Sequence, residues 1–460
     1  MSSDAATERL HPLGIGLLAA RRARRWIGAI VPALAFAIGV GGLLPLLAAL
    51  LVLVTIGAIV GVLEWRAYTF GVAEGSLVAR HGIFSRETVS VPLARVQSID
   101  VEQSPIARLL GARSLTIRMA AGSGTVRLIA VSGGAEARLR GALGEDGAEA
   151  SPAEDVVRRL PASALPVMAV TSPRIGAGVG VLVAVFYRLD EVVPGSLTEK
   201  VAPRLAPASL VAALLELAAV LAFTLAASLI GTTLGWAGFR IVRDGPRLRL
   251  RRGLLRYRET VVPMDRVRAV QLREGLPHEA LGLCSLKVRT AGRATQAAQS
   301  DVLFPLLARR ESAGLVRTTV PELELEGIPL RRPPRRARGR ALRRRALPAA
   351  IVAAPPAVLL APYGLLVLLL VPAAALLGLA RFRAAGIGLE GGRLAWRRRV
   401  LARYTLVAQA RSVQWRRVRQ SPLQRRRALA TLEVGLPTGG VGVFARDLEE
   451  GDAARLARAL

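Results

Sequence analysis

The chain has 460 residues, 52% of them hydrophobic, and a mean hydropathy of +0.40. It also carries 64 Lys and Arg against 33 Asp and Glu, a net charge of +31. An ordinary soluble protein is excluded, because apolar and basic residues occupy separate stretches. Apolar blocks cover about 27–63, 164–187, 207–238 and 347–379, and almost all the arginines lie between them.

A spanning helix needs about 20 apolar residues, so the first and last blocks each accommodate two short spans. Gly41, Gly42 and Pro45 break the first, and Pro362-Tyr363-Gly364 breaks the last. The expected count is six spans in three hairpins, with four as a minimum. Residues 1–26 form a basic N-terminal segment. The first block is too long for a signal peptide and reads as a retained anchor.

After the hairpin at 27–63, residues 64–145 hold short alternating stretches: Ser76 to Arg80, Thr88 to Pro92, Val96 to Val101, Leu115 to Met119 and Thr125 to Ile129. Period-two alternation predicts strands, and Gly122-Ser123-Gly124 predicts a hairpin turn. Ala135 to Arg140 predicts a closing helix. Such a unit is a small bent sheet or barrel capped by a helix. A linker at 146–163 leads to the second hairpin, 164–238, with an outer loop at 188–206.

The unit recurs at 239–322. Val91-Pro92-Leu93-Ala94-Arg95 becomes Val262-Pro263-Met264-Asp265-Arg266, and Leu110-Gly111 becomes Leu281-Gly282. An Arg-rich linker at 323–346 precedes the third hairpin, 347–379, and a divergent third copy fills 380–460. There, with one residue inserted, Ala94-Arg95-Val96-Gln97 corresponds to Ala410-Arg411-Ser412-Val413-Gln414, Ala408 replaces Pro92, and Ala428 replaces Gly111. Pro92, Arg95, Gln97, Gly111, Pro263, Arg266, Gly282, Arg411 and Gln414 therefore mark the repeat.

Hairpins alternating with units built on Val-Pro-x-x-Arg-Val-Gln and Leu-Gly resemble the bacterial pleckstrin-homology-like domain of the second type. The whole chain resembles YdbT-type membrane proteins, which carry three. The resemblance implies an α+β membrane protein: three transmembrane hairpins alternating with three pleckstrin-homology-like sheets, each capped by a C-terminal helix. It also implies a non-enzymatic role and a partner that is a smaller single-domain homologue or another copy, with a link to envelope stress. It transfers no ligand residue by residue.

The residues themselves show no catalytic constellation. His11, His81 and His278 are isolated, Cys284 is the lone cysteine, and no metal-binding spacing occurs, so no cofactor is expected. Gly122-Ser123-Gly124, Gly133-Gly134, Gly391-Gly392 and Gly439-Gly440 read as turns. What remains is charge. Arg331, Arg332, Arg335, Arg336 and Arg338 open a run that continues to Arg345. It reads either as a positive-inside signal fixing the third hairpin or as a platform for anionic lipid head groups. Arg247, Arg249 and Arg251 alternate, which puts them on one strand face as a basic stripe; a solvated face explains them equally well. Nucleic acid is disfavoured, with aromatics at 4%. Arg174 and Glu216 form a candidate intramembrane pair, unless the third span begins after Arg174.

The basic segments flanking the hairpins place both termini and all three polar units on the cytoplasmic side of the cell membrane. The functional expectation is a scaffold for protein assembly at the inner leaflet. The alternatives are an anionic-lipid-binding or lipid-handling protein and, third, a transporter or channel component.

Overall fold

A computed structural model describes residues 8–10, 12, 14–15, 43–73, 75–82, 87–93, 96–109, 111–119, 125–142, 155–172, 210–290, 302–359, 363–437 and 442–460. The first copy starts with β1 (Glu8–Arg9), ahead of its apolar block. Helix α1 (Leu43–Ala67) carries no charge before Glu64 and delivers the chain to β2 (Thr69–Ala73), β3 (Ser76–His81) and β4 (Glu87–Pro92). Then come β5 (Val96–Gln103), α2 (Pro105–Leu109), β6 (Ala112–Met119), β7 (Thr125–Ser132) and the closing helix α3 (Gly133–Ala142). Strands β2 to β4 form one antiparallel sheet and β5 to β7 another. Phe70, Leu77 and Val91 from the first sheet meet Val101, Leu115, Ile117 and Leu128 from the second, with Leu139 of α3 between them. Each large apolar side chain so buried contributes about 1.5–3 kcal/mol.

The second copy repeats this plan. It begins with β8 (Asp155–Arg159) and α4 (Ala164–Val170), and α5 (Leu210–Trp236) leads to β9 (Arg240–Asp244), β10 (Arg247–Arg252) and β11 (Tyr257–Pro263). Strand β12 (Val267–Glu274), α6 (Leu276–Ala280), β13 (Leu283–Thr290), β14 (Val302–Ala308) and α7 (Arg309–Thr319) complete it. The third begins with α8 (Arg338–Leu359) and α9 (Leu370–Ala384). It continues through β15 (Gly386–Glu390), β16 (Arg393–Arg399), β17 (Arg403–Gln409) and β18 (Trp415–Arg419). Helix α10 (Pro422–Arg425), β19 (Leu429–Gly435), β20 (Gly442–Glu449) and α11 (Glu450–Ala459) close it. Gly391 and Gly392, at φ 55° and 70°, supply the tight turn that pairs Glu390 with Arg393.

Among the described residues two stretches, Ala218–Trp236 and Gly364–Ala384, are long and apolar enough to cross a membrane. The third hairpin packs α8 closely on α9. A Cβ on Gly378 would stand 2.8 Å from the Ala341 carbonyl oxygen, so only glycine lets the two backbones approach this far. Gly41, Gly42, Pro362, Arg174 and the outer loop at 188–206 lie outside the described residues.

Two features depart from the sequence expectation. The segment at 146–163 is more than a linker, because β8 within it adds an antiparallel strand to β9. Strand β1 pairs with β2 in the same way, and Arg331 bridges Ile387 of β15 through two backbone hydrogen bonds of 2.8 and 3.0 Å. In each copy the segment ahead of the apolar block is therefore hydrogen-bonded to the first strand after it. The third copy also needs no inserted residue. The ladders β9–β10–β11 and β15–β16–β17 superimpose at a constant offset, Asp244↔Arg247 answering to Glu390↔Arg393 and Arg247↔Pro263 to Arg393↔Gln409. Gln409, and not Ala408, thus occupies the place of Pro263. Arg411 takes that of Asp265, and Ser412 that of Arg266. Matching on residue identity shifted the strand by one, whereas the hydrogen-bond register decides which residues face the core.

Candidate functional site

The sheets do not end where the copies end. Strand β5 of the first copy pairs with β11 of the second, from Ile99↔Val261 to Gln103↔Tyr257. Strand β12 of the second pairs with β17 of the third, from Ala269↔Ala408 to Glu274↔Arg403. The result is one seven-stranded and one six-stranded sheet, each shared by two copies, with a four-stranded sheet before them and a three-stranded sheet after. The second sheet of each copy is thereby welded to the first sheet of the next.

Side chains lock both joints. Arg258, on β11, makes an ion pair with Glu102 of β5. Arg266 donates through Nη1 to the Val96 carbonyl at 2.8 Å. At the second joint the carboxylate of Glu274, 1% exposed, accepts two hydrogen bonds of 2.7 Å from Arg403, whose pKa these bonds raise. Arg399 and Arg403 both reach Glu279, and Arg411 reaches Glu322 at 2.9 Å. Two of the repeat-marking arginines, Arg266 and Arg411, therefore fasten their own copy to the one before. Gly111 and Gly282 hold left-handed turns at φ 67° and 64°, a conformation that glycine adopts without strain. Pro92 and Pro263 end β4 and β11, and Gln414 donates its backbone N–H to Gly435. Arg95 lies outside the described residues, as do the side chains of Gln97 and Glu216.

The expected basic stripe is not a free surface. Arg249 is 6% exposed and paired with Asp244 at 2.6 Å and with Glu259 at 3.4 Å; Arg251 also reaches Glu259 at 3.4 Å. Arg247 is half-buried. Alternation does put the three on one face, but acidic residues of β9 and β11 pair with two of them, Arg249 and Arg251.

The Arg run after residue 330 splits by helical period. Arg336, Arg340 and Arg344 recur every fourth residue and dock on the third copy. Arg336 meets Glu449 at 2.9 Å, Arg340 meets Asp447 at 3.1 Å, and Arg344 meets Asp447 as well. Arg331 meets Asp452 at 2.7 Å. Arg332, Arg335 and Arg338 stay exposed. Between the ends of α8 and α9 nearest this copy and the copy itself opens a pocket of about 250 Å³. Six arginines line it, with Trp396, Phe382 and Phe444. Arg344 is neutralised by Asp447 and Arg399 by Glu279, and Arg381 donates to the Val400 carbonyl at 3.5 Å. Arg398 stacks on Trp396 at 4.9 Å. Burial and the neighbouring Arg344 and Arg345 lower the Arg446 pKa. Arg345, Arg381, Arg398 and Arg446 thus line a concavity whose one acidic lining residue, Asp447, is already engaged by Arg340 and Arg344, so the cations outnumber it. Arrays of this kind attract phosphate or carboxylate groups.

Sequence reasoning missed the strands ahead of the hairpins. Their trace is a leucine and a proline that recur before each apolar block: Leu10-His11-Pro12, Leu160-Pro161 and Leu330-Arg331-Arg332-Pro333. Trp65 Nε1 donates to the Leu10 carbonyl at 2.8 Å, and Leu160 donates its N–H to Phe239. Cys284 is fully buried, and burial pushes its thiol up to about 12, which makes it an inert packing residue.

Two sheets packed across a core and closed by a helix, three times over, suit a pleckstrin-homology-like fold. A family model described as bacterial PH domain matches residues 24–145, 198–321 and 346–460. The chain belongs to this family. It is similar to a UPF0699 transmembrane protein, YdbT, of Bacillus subtilis strain 168, with 24% identity over 420 residues and 85% of each chain covered. No solved structure matches. Among the described residues no group of three or more His, Cys, Asp or Glu is placed to hold a metal.

Proposed function

We propose that this protein is a non-enzymatic scaffold of the inner membrane leaflet. Three hairpins, six crossings in all, would hold three rigidly coupled PH-like units and both termini on the cytoplasmic face. The observation that carries the reading is the pair of shared sheets: units joined by continuous β-ladders keep fixed mutual positions, as a platform for assembly requires. The strand pairing across each hairpin supports an even number of crossings, because β1 and β2, β8 and β9, and Arg331 and Ile387 must lie on one side. Basic segments beside the hairpins support the cytoplasmic side. The name of the Bacillus relative, a transmembrane protein, agrees. A smaller homologue with one PH-like domain and further copies of this chain are the partners the reading favours, with envelope stress as the setting. Native mass spectrometry after cross-linking in the membrane tests it. A stoichiometric protein partner that survives delipidation is expected; a lone monomer from every growth condition would sink it.

A second reading rests on the basic pocket. Its position at the foot of the third hairpin supports capture of an anionic lipid head group, each basic residue near the surface contributing about 1 kcal/mol. The full chain purified from membranes should co-purify with anionic phospholipid, and Arg381→Gln with Arg446→Gln should reduce that retention several-fold. Unchanged retention counts against the pocket.

A further inference from the structure

We infer that a second copy of this chain docks edge-to-edge on β18, adding its own β4 in the register of the two internal joints. The inference rests on the scaffold reading and names the surface by which it would assemble.

Each internal joint uses the same pair of edges: the first strand of one copy's second sheet, and the last strand of the next copy's first sheet. The registers agree as well. Val96–Gln103 and Val267–Glu274 lie 171 residues apart, and Tyr257 and Arg403 lie 146 apart. With those offsets, Gln103↔Tyr257 and Glu274↔Arg403 are one and the same position in the two ladders. Two edges of these kinds stay unused among the described strands. Strand β18 ends the three-stranded sheet, and β4 ends the four-stranded one.

Burial shows what the missing strand would cover. All five residues of β18 are exposed, including Trp415 at 48% and Val418 at 41%. Their counterparts in β12 are Ala269 and Leu272, at 0% and 6%, buried against β17. On the other edge Ser90 is exposed, whereas its counterparts Val261 and Val407 are 3% and 0% exposed. An exposed edge bearing large apolar residues is a template for pairing.

Charge selects the occupant. The shared register places Trp415 opposite Val91, Arg417 opposite Val89 and Arg419 opposite Glu87. Arg419 and Glu87 then fall where Glu102 and Arg258 pair in the first joint, with the signs exchanged. Pairing of β18 with another β18 would set Arg416, Arg417 and Arg419 against one another, which like charges oppose. Ser90 and the three arginines make this joint less apolar than the internal ones, so it is weaker and sensitive to salt. Contacts of this head-to-tail type close into a ring or extend as a filament. The hairpins would confine either form to the membrane plane.

The experiment is disulfide cross-linking of the full chain in native membranes, with two differently tagged copies co-expressed. Arg417→Cys in one copy and Val89→Cys in the other face each other in the proposed ladder, and buried Cys284 stays as it is. A mixed-tag dimer is expected from this pair and at least ten-fold less from Arg417→Cys with Thr88→Cys, which lies on the opposite face of the strand. High salt before oxidation should reduce the mixed dimer. Equal cross-linking with Thr88→Cys, a dimer of Arg417→Cys with itself, or no dimer would overturn the inference. An adduct of Arg417→Cys with a different protein would also overturn it while leaving the scaffold reading intact.

Discussion

Arg266 in the second copy donates a hydrogen bond of 2.8 Å to the backbone carbonyl of Val96 in the first. The residue lies just past the Val-Pro motif of one unit, and its acceptor opens the second sheet of another. A marker of the repeat is therefore a fastener between repeats. A hydrogen bond from a charged donor contributes about 1.5–3 kcal/mol. Arg266→Met keeps the aliphatic stem and removes the donor. Amide exchange in Val96–Gln103 and Tyr257–Pro263 should accelerate about ten-fold or more, while β19 and β20 of the third copy stay as protected as before. Uniform acceleration throughout the chain would mean that the arginine supports the fold as a whole and not the joint.

Glu274 and Arg403 make the second joint depend on a buried ion pair. The Glu274 side chain is 2% exposed and the Arg403 side chain 17%. Removing one partner of a buried pair costs about 3–5 kcal/mol, because the other is left uncompensated. Arg403→Met should accordingly lower the thermal midpoint of the full chain in detergent by several degrees. Arg309, 3.4 Å from Glu274, moderates the loss. Glu274→Leu combined with Arg403→Met should restore much of the midpoint, since an apolar pair needs no charge compensation. A double variant as unstable as the single one would show that packing, and not charge, is what Arg403 provides.

Local periodicity made much of one unit legible. The expected strands at Val96 to Val101, Leu115 to Met119 and Thr125 to Ile129 lie within β5, β6 and β7, and the expected helix at Ala135 to Arg140 lies within α3. Alternation reports which face of a strand is buried, and that is a property of the strand itself. The joints are a different matter. Nothing in Val96–Gln103 states that its outer edge meets Tyr257 to Val261, because backbone groups on a sheet edge are the same for every residue. The short strands ahead of the hairpins were hidden for a related reason: two to five residues carry too little period to stand out from a loop. The charged clusters misled in the opposite direction. Arg247, Arg249 and Arg251 looked like a surface stripe because Asp244 and Glu259, which pair with Arg249 and Arg251, lie on other strands.

His278 gives the second copy a sensitivity to acid. Its Nε2 lies 3.2 Å from Thr171 Oγ1, beyond the end of α4, and burial with the nearby Arg273 lowers its pKa below the usual 6.5. The unfolded chain then takes up a proton near pH 6.5 while the folded chain stays neutral to lower pH. Protons favour the unfolded state in that window, so stability falls as pH drops below about 6.5. Amide protection in Leu276–Ala280 should decline between pH 7 and 5.5, and His278→Gln should remove that part of the decline. A profile identical in both proteins would place the acid sensitivity elsewhere.

Ala428 offers the opposite kind of change, a gain. The turn before β19 repeats the one that Gly111 and Gly282 make in the other copies, and its backbone is also left-handed, at φ 48°. Glycine adopts that conformation freely, whereas the alanine Cβ crowds the backbone and costs on the order of 1 kcal/mol. Against this, glycine loses more chain entropy on folding, by about 0.4–1 kcal/mol. The two effects nearly cancel at the weak end of the strain range and favour glycine at the other. Ala428 N–H donates to the Arg425 carbonyl at 3.1 Å, and its own carbonyl accepts from Glu450 N–H at 3.1 Å, so the turn is held in place and cannot relax the strain. Ala428→Gly should therefore raise the stability of the third copy by up to about 0.5 kcal/mol. The reading is slower amide exchange in Leu429–Gly435. The reverse changes, Gly111→Ala and Gly282→Ala, should destabilise their own copies by up to about 0.5 kcal/mol, since the same strain and entropy terms apply with the sign reversed. If Ala428→Gly instead weakens the third copy, the entropy of the unfolded chain outweighs the strain at this turn, and the divergence of that copy has cost it nothing there.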